Sequence, residues 1–345
     1  PAKEIEQLVE EYHRQMERSF TLLALATEAV VERQLAGVTE QLSARLIERL
    51  PGLTGYQRWR ISPDGALWLV PWAALKTRSG KYAIEDHEVS YLITSRQLTW
   101  KGTNARRLNR AVIFANPDYN AGVRQGLSGA VFSELPGTVV EAKALLPSLK
   151  TLTQGDPVVV HGATATESRV KALTSPRVLI LSTHGYFDAL NSEEKKRPEA
   201  RNPLLRCGLA LASANGSLVG KTRDGNGGLL TGQEVTSLDR RGTELVVLSA
   251  CQTALGDVHR GEGVSGLRQA FQLAGARSVV ATLWSIPDAE TVDVTGGMFN
   301  ELAAGRSDAD ALARAQRSVI AHRRKEHGGA HPLYWAAFCV TRTGK

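Results

Sequence analysis

Cysteine is scarce in this sequence. The 345 residues include only three, Cys207, Cys251 and Cys339, and these are widely spaced. An odd number of widely separated cysteines excludes the disulfide framework of a small secreted domain. The sequence also has no CxxC pair and no Cys/His cluster, so nothing indicates a zinc site. Cys207 in CGLALA and Cys339 in AAFCV lie in apolar, strand-like runs. We expect both to be buried as small hydrophobic residues.

Long hydrophobic runs are also missing. No uninterrupted apolar stretch approaches the ~18 residues that cross a bilayer. The first residues, PAKEIEQLVEEYHRQ, are charged and helical in character, unlike a signal or transit peptide. Hydrophobic residues at 42% and charged residues at 22% are typical of a globular protein. We therefore expect a cytoplasmic location without membrane contact. Because the chain begins with Pro1 rather than Met, we also expect a piece of a longer protein.

The excess positive charge is not concentrated in one place. The formal net charge is +7, but the basic residues are scattered through RQMER, RRLNR, EEKKRPEAR, LDRR and AHRRKEH. Nucleic-acid binding usually needs a basic stripe with interleaved aromatic residues, so direct binding of nucleic acid is not expected. The chain also lacks GxGxxG after a strand and GxxxxGK[ST], which argues against a nucleotide-binding protein. No metal or organic cofactor is expected.

Three regions follow one another along the chain. Residues 1–52 have apolar positions at helical spacing, and Pro51-Gly52 ends the second of two amphipathic helices. These helices need a partner surface, which is either the rest of the domain or the remainder of a helical repeat array. Residues 53–107 have β character, with a hairpin or tight strand pair predicted around Pro63-Asp64-Gly65. Residues 108–345 form the largest region.

Short apolar strands alternate with helices from residue 108 onward. The strands read AVIFANP, VVVHG, RVLILS, ELVVLS, SVVATLWSI and YWAAFCVTR. Near-continuous apolar strands separated by helices are typical of a parallel sheet covered on both faces. The sequence therefore predicts an α/β fold with a mostly parallel six-stranded sheet and helices on both faces.

Two of these strands end in residues suited to nucleophilic catalysis. RVLILS runs into Thr183-His184-Gly185, and ELVVLS runs into Ala250-Cys251. Reactive groups in open α/β sheets collect at the carboxyl ends of the strands, so His184 and Cys251 face one crevice if the strands are neighbours. A nearby imidazole activates a thiol that is otherwise only slightly ionised at neutral pH. The N–H groups of Gly185 and Cys251 are candidates for binding the oxyanion of a tetrahedral intermediate.

Around these residues the sequence resembles the CHAT domains, relatives of caspases and separases. The similar segments include VLILSTHGYFD, ELVVLSACQTALGD, GEGVSGLRQAFQLAGARSVVATLWSIPD and HPLYWAAF, in a stretch that runs from about Ile61 to Arg342. The resemblance implies a caspase-like protease domain over 108–345, preceded by a degenerate subdomain. It also implies that the His of the HG motif and the Cys of the SAC motif form a catalytic dyad, here His184 and Cys251.

The resemblance further implies a substrate site. The aspartate of the separase pattern LW-x-[VI]-x-D corresponds to Asp288, where a carboxylate facing an Arg or Lys side chain would favour a basic P1 residue. The alternative is that Asp288 caps the helix DAETVDV. Asp257 and Glu262 also occupy family positions, where they either contact substrate or are solvated loop charges. LWSI in place of the separase-like LWDV removes one acidic residue and weakens the case for a strictly basic P1.

The stretch 188–228 between the two catalytic strands is polar and rich in glycine. It either covers the crevice or is a plain surface loop. Its candidate self-cleavage points are Lys196, Arg197, Lys221 and Arg223.

Two functions from different classes fit the sequence. The first is a cysteine endopeptidase that cleaves a partner protein and is regulated by a partner or by attached domains. The second is a non-catalytic or latent interaction module that acts as a signalling scaffold. In both, an activating protein or ligand is expected to bind through the N-terminal helices. A role in bacterial defence or programmed death rests on analogy at the level of the fold.

Overall fold

The computed structural model describes residues 2–99, 108–122, 132–187, 202–218, 227–249, 260–284, 286 and 288–344; at residues 260–265, 288 and 289 it describes the backbone alone. The helices are α1 (Ala2–Leu22), α2 (Glu28–Leu46), α3 (Ala83–Asp86), α4 (Pro136–Thr153), α5 (Glu167–Lys171), α6 (Pro203–Arg206), α7 (Ala214–Leu218), α8 (Gly232–Thr236), α9 (Arg260–Leu273), α10 (Asp288–Ala303) and α11 (Asp308–His327). The strands are β1 (Arg58–Ile61), β2 (Glu88–Tyr91), β3 (Leu108–Pro117), β4 (Val158–Gly162), β5 (Pro176–Ser182), β6 (Gly185–Phe187), β7 (Cys207–Ala210), β8 (Leu229–Thr231), β9 (Leu245–Leu248), β10 (Ser278–Thr282) and β11 (Phe338–Arg342).

The chain divides into two compact units. Unit 1 contains residues 1–95 and 289–341, and unit 2 contains residues 96–288 and 342–345. Most of the strand–helix alternation lies in unit 2, and the N-terminal helices belong to unit 1. The predicted boundaries at 52 and 107 concern evolutionary domains, which need not coincide with compact units, and they stay a prediction.

A parallel sheet forms the centre of unit 2. Its strands follow the order β10-β9-β5-β3-β4, and each pairs in parallel with its neighbour. β9 is buried along its whole length, and β5 is buried except at Arg177. Helix α4 packs against β3, and α9 packs against β10. Burial contributes about 1.5–3 kcal/mol for each large aliphatic side chain, which explains why these strands are apolar throughout. The predicted α/β fold is confirmed.

A smaller sheet of unit 2 follows directly after β5. β6, β7 and β8 pair antiparallel in the order β6-β7-β8. β7 is the run CGLA, and all four of its residues are buried. Its first residue, Cys207, is buried, and so is Cys339 in β11. The prediction that these two cysteines are buried as small hydrophobic residues is confirmed.

Unit 1 joins the N-terminal helices to the C-terminal part of the chain. α1 packs on α2, and the buried side chains Val9, Tyr12 and Met16 lie along one face of α1. At the start of α2, the Glu28 carboxylate forms a buried ion pair with Arg323 of α11 at 2.7 Å. The partner surface expected for these helices is therefore found, at least in part, within unit 1.

Two details of the predicted fold are wrong. The six predicted strands are all present, but β1 and β2 also pair in parallel, so the described residues contain eight parallel strands. No hairpin forms at Asp64-Gly65, because Gly65–Leu69 is a 3-10 helix whose Gly65 N–H is capped by Asp64 Oδ1 at 2.9 Å. Pro71 also lacks the N–H that a returning strand would need.

No helix in the described ranges has both the length and the apolarity that a membrane span requires.

Candidate active site

His184 follows β5, and the segment that leads to Cys251 follows β9. These two strands are parallel neighbours, with Leu181 paired to Leu248. His184 lies three residues beyond Leu181, and Cys251 lies three residues beyond Leu248. The premise that the two strands are neighbours is therefore confirmed. Cys251 itself lies outside the described residues, and its contact with His184 stays a prediction.

The imidazole of His184 is oriented by a backbone carbonyl. Its Nε2 atom lies 2.8 Å from the oxygen of Ser133. A carbonyl oxygen only accepts hydrogen bonds, so Nε2 carries the proton and donates it. In the neutral ring Nδ1 is then the basic nitrogen, and among the described residues it has no hydrogen-bond partner. The ring is thus held in one tautomer with one nitrogen available for proton transfer.

Aromatic side chains surround this histidine. The ring centroids of Tyr119 and Phe132 lie 5.2 and 5.6 Å from that of His184, which is only 4% exposed. Burial lowers the pKa of His184 from its ordinary value of 6.5, and the hydrogen bond to Ser133 opposes this only in part. The ring is therefore mostly neutral near pH 7, which suits it to accept a proton from a thiol.

The backbone around His184 is fixed by the small antiparallel sheet. Ala210 N–H donates to the His184 carbonyl at 2.8 Å, and the Thr183 hydroxyl donates to the Ala210 carbonyl. Since that hydroxyl proton is used, the Tyr119 hydroxyl donates to Thr183 Oγ1, at 2.9 Å. Burial raises the pKa of Tyr119 to about 12, so its hydroxyl stays protonated.

The backbone N–H of Gly185 is not used in the hydrogen-bond ladder between β6 and β7. His184 and Ala210 form a hydrogen-bonded pair, and Gly185 and Leu209 form the next pair of the ladder. Hydrogen-bonded and non-hydrogen-bonded pairs alternate along an antiparallel ladder. The Gly185 N–H therefore points away from β7 rather than into the sheet. Its role as an oxyanion donor stays a prediction.

The remaining predicted site residues are less fully described. Glu262 lies in α9 and Asp288 is the first residue of α10, and in both cases only the backbone is described. Asp257 lies outside the described residues. The candidate self-cleavage points Lys196, Arg197, Lys221 and Arg223 also lie outside them.

Several residues of this site could not be predicted from the sequence. The acceptor for His184 is a backbone carbonyl, which any residue at position 133 would supply. Tyr119 and Phe132 come from segments that are distant in the chain, and only the fold brings them to His184.

The family model of the CHAT domain matches residues 14–345 of this chain. Among curated proteins, the chain is 25% identical to human (Homo sapiens) tetratricopeptide repeat protein 28 over 300 residues, which cover 80% of the chain and 12% of that protein. The mouse (Mus musculus) protein of the same name is 33% identical over 112 residues, which cover 32% of the chain and 4% of that protein. The chain thus spans only a small part of these relatives.

Two solved structures are also similar. The Arg-specific cysteine proteinase gingipain R has a TM-score of 0.49 at 9% identity, and the match covers 89% of this chain and 67% of that one. The Saccharomyces cerevisiae separase–securin complex has a TM-score of 0.43 at 11% identity, with 83% of this chain and 16% of that one covered.

Proposed function

Because the chain belongs to the CHAT domain family, we propose that it is a cysteine endopeptidase with Cys251 as nucleophile and His184 as its catalytic partner. The observation that carries the proposal is the hydrogen bond from His184 Nε2 to the Ser133 carbonyl. This hydrogen bond leaves Nδ1 as the base. His184 follows β5, and Cys251 follows β9, the parallel neighbour of β5.

The reaction follows from these groups. His184 Nδ1 accepts the proton of the Cys251 thiol, and the sulfur attacks the peptide carbonyl carbon. The N–H groups of Gly185 and Cys251 bind the resulting oxyanion. The C–N bond then breaks, and the amine leaves with the proton from His184. Finally, His184 takes a proton from water, hydroxide replaces sulfur at the thioester carbon, and the thiol is restored.

The substrate side of the proposal rests on Asp288, with Asp257 and Glu262 as further contacts. A carboxylate at position 288 would recognise a basic P1 side chain by charge-assisted hydrogen bonds. We also propose a cytoplasmic location and control by a partner or attached domains, as suits a protease used in host defence. The support for control is that the matched relatives are far longer than this chain.

A peptide library tests the proposal. The chain and its Cys251→Ala variant are incubated with the library, and mass spectrometry maps the products. We expect cleavage by the unchanged chain, loss of at least about 10³-fold in Cys251→Ala, and Lys or Arg before the cut. Cys339→Ala is the matched control and keeps activity, because that thiol is buried in β11.

Two results would contradict the proposal. One is cleavage that persists in Cys251→Ala. The other is a full-length protein that cleaves nothing even with its interacting proteins present, which would favour the scaffold function instead.

A further inference from the structure

A buried asparagine holds the segment that orients His184. Asn215 lies in α7 and is 2% exposed. Its Oδ1 accepts from Phe132 N–H at 3.0 Å, and its Nδ2 donates to the Phe132 carbonyl at 2.9 Å. The same Nδ2 donates to Asn120 Oδ1 at 2.9 Å. The amide therefore uses both of its N–H donors and binds both backbone groups of one residue.

Phe132 is the residue directly before Ser133. Its carbonyl belongs to the peptide plane that also contains the Ser133 nitrogen, so fixing the Phe132 N–H and carbonyl fixes the direction in which the chain enters Ser133. Ser133 then presents its carbonyl to His184 Nε2 at 2.8 Å. The Phe132 ring, on the same anchored residue, packs 5.6 Å from the imidazole. Both contacts to His184 thus depend on how Asn215 holds Phe132.

The far side of Ser133 has a separate anchor. Asn116 Oδ1 accepts from Leu135 N–H at 2.6 Å, and Asn116 N–H donates to Thr138 Oγ1 at 2.9 Å. Ser133 itself is exposed, so burial of its own side chain does not hold it in place. The Ser133 carbonyl is therefore positioned from both sides by buried or half-buried asparagine contacts.

We propose that Asn215 is a positioning residue for His184. By fixing Phe132 and Ser133, its amide keeps the Ser133 carbonyl on Nε2 and so keeps the imidazole in the tautomer with Nδ1 free. Without the amide, two buried backbone groups of Phe132 lose their partners, and the segment shifts to find others. The catalytic meaning of this tautomer rests on the proposed function, but the tautomer itself is measurable without any cleavage.

The test is the tautomer of His184 in the full chain. Histidine is labelled with ¹⁵N in the Cys251→Ala background, and the signals of His184 are identified by their loss in His184→Gln. We expect the ring nitrogens to show protonated Nε2 and unprotonated Nδ1. In Asn215→Ala we expect the two shifts to converge, which reports exchange between tautomers. The matched control is Asn202→Ala, which removes an asparagine that caps α6 by accepting from Leu204 N–H at 3.0 Å, and it leaves the tautomer unchanged.

A kinetic measurement complements the spectrum. With Cys251 present, Asn215→Ala is expected to lower kcat by about 10- to 100-fold and to change KM much less, because a misplaced base slows the chemical step more than binding. An unchanged tautomer in folded Asn215→Ala overturns the proposal even if the chain is an active protease. A lost tautomer preference supports it even if no cleavage is ever found.

A second variant covers a failure to fold. If Asn215→Ala is not folded, Asn215→Asp takes its place, because it keeps the side-chain volume and the acceptor for Phe132 N–H but loses the donor to the Phe132 carbonyl. Convergence of the His184 nitrogen shifts in that variant supports the proposal, and retention of the Nε2–H tautomer overturns it.

Discussion

The two most informative side chains at the residue scale are the buried histidines His184 and His331. His331 is 0% exposed, its Nδ1 accepts from Leu333 N–H at 3.1 Å, and its Nε2 donates to Ser19 Oγ at 3.2 Å. His184 has a partner for Nε2 alone among the described residues. Both ring nitrogens of His331 are used in hydrogen bonds within the fold, whereas Nδ1 of His184 has no hydrogen-bond partner among the described residues.

The first prediction concerns the titration of His184. Burial holds its pKa below 6.5, so we expect an NMR titration of the Cys251→Ala chain to give a midpoint below that of the same residue in the urea-unfolded chain. The value of kcat/KM should therefore stay near its maximum down to pH values below 6.5. A midpoint above the unfolded value would contradict the buried, neutral state.

The second prediction concerns His331 and acid stability. Burial, aided by Arg323, lowers its pKa to about 4, so the unfolded chain binds more protons between about pH 6.5 and 4. The neutral state of His331 therefore contributes about 3 kcal/mol to the free energy of unfolding. This contribution is fully present above about pH 6.5 and is lost as the pH falls through about 4. His331→Asn keeps the acceptor for Leu333 N–H but does not titrate.

Urea unfolding at several pH values checks that expectation. The free energy of unfolding of the unchanged chain should fall more steeply from pH 6.5 to 4 than that of His331→Asn, although the variant is less stable at neutral pH. Equal slopes for the two chains would show that His331 does not set the acid sensitivity.

At the element scale, one ion pair joins the two N-terminal helices to each other, and another joins α2 to α11. Arg45 of α2 pairs with Glu4 of α1 in an exposed position. Glu28 of α2 pairs with Arg323 of α11 in a buried one, where the guanidinium also stacks 3.4 Å from the centre of the Tyr334 ring. The pairs are similar in chemistry, but solvent screens only the first.

The third prediction compares these pairs. Glu28→Ala leaves the buried Arg323 guanidinium with only the more distant Glu290 carboxylate, at 3.8 Å, and should lower the free energy of unfolding by about 3 kcal/mol. Glu4→Ala is the matched control, and its urea midpoint should stay close to that of the unchanged chain. Similar midpoints for both variants would mean that the buried pair does not fasten α2 to α11.

At the scale of the whole molecule, the N-terminal helices are part of unit 1. α1 and α2 bury apolar side chains along their lengths. In addition, the Tyr82 hydroxyl donates a hydrogen bond to Glu32 of α2 at 2.5 Å. A separable helical appendage would lack such bonds to residues far along the chain.

The fourth prediction is that the helices cannot be removed. A chain of residues 48–345 loses several buried side chains worth about 1.5–3 kcal/mol each, which together exceed the usual net stability of about 5–15 kcal/mol. We expect it to lose its cooperative thermal transition by circular dichroism and to aggregate in gel filtration. A chain of residues 8–345 is the control and should behave like the unchanged chain, because residues 2–7 are exposed or half-buried. A cooperative, monomeric 48–345 chain would contradict the prediction.

Much of the fold could be predicted from the sequence because the strands of the parallel sheet in unit 2 are short, apolar and separated by helices. β5 and β9 could be recognised in this way, and so could His184 at the end of β5. The prediction of a hairpin at Asp64-Gly65 was wrong for a local reason, because an Asp-Gly pair can also begin a 3-10 helix, as it does here. β1 and β2 were missed as parallel partners because short, half-exposed strands do not reveal which strand lies beside them.

The sequence by itself determined the strand–helix order, the burial of Cys207 and Cys339, and the placement of His184 and Cys251 after two apolar strands. These features follow from the local spacing of apolar residues, which any segment carries without its neighbours. Only the tertiary structure decided that β5 and β9 are adjacent, that the Ser133 carbonyl accepts from His184 Nε2, and that Asn215 binds Phe132, the residue before Ser133. Those contacts join residues tens of positions apart, and a backbone carbonyl has no signature in the sequence.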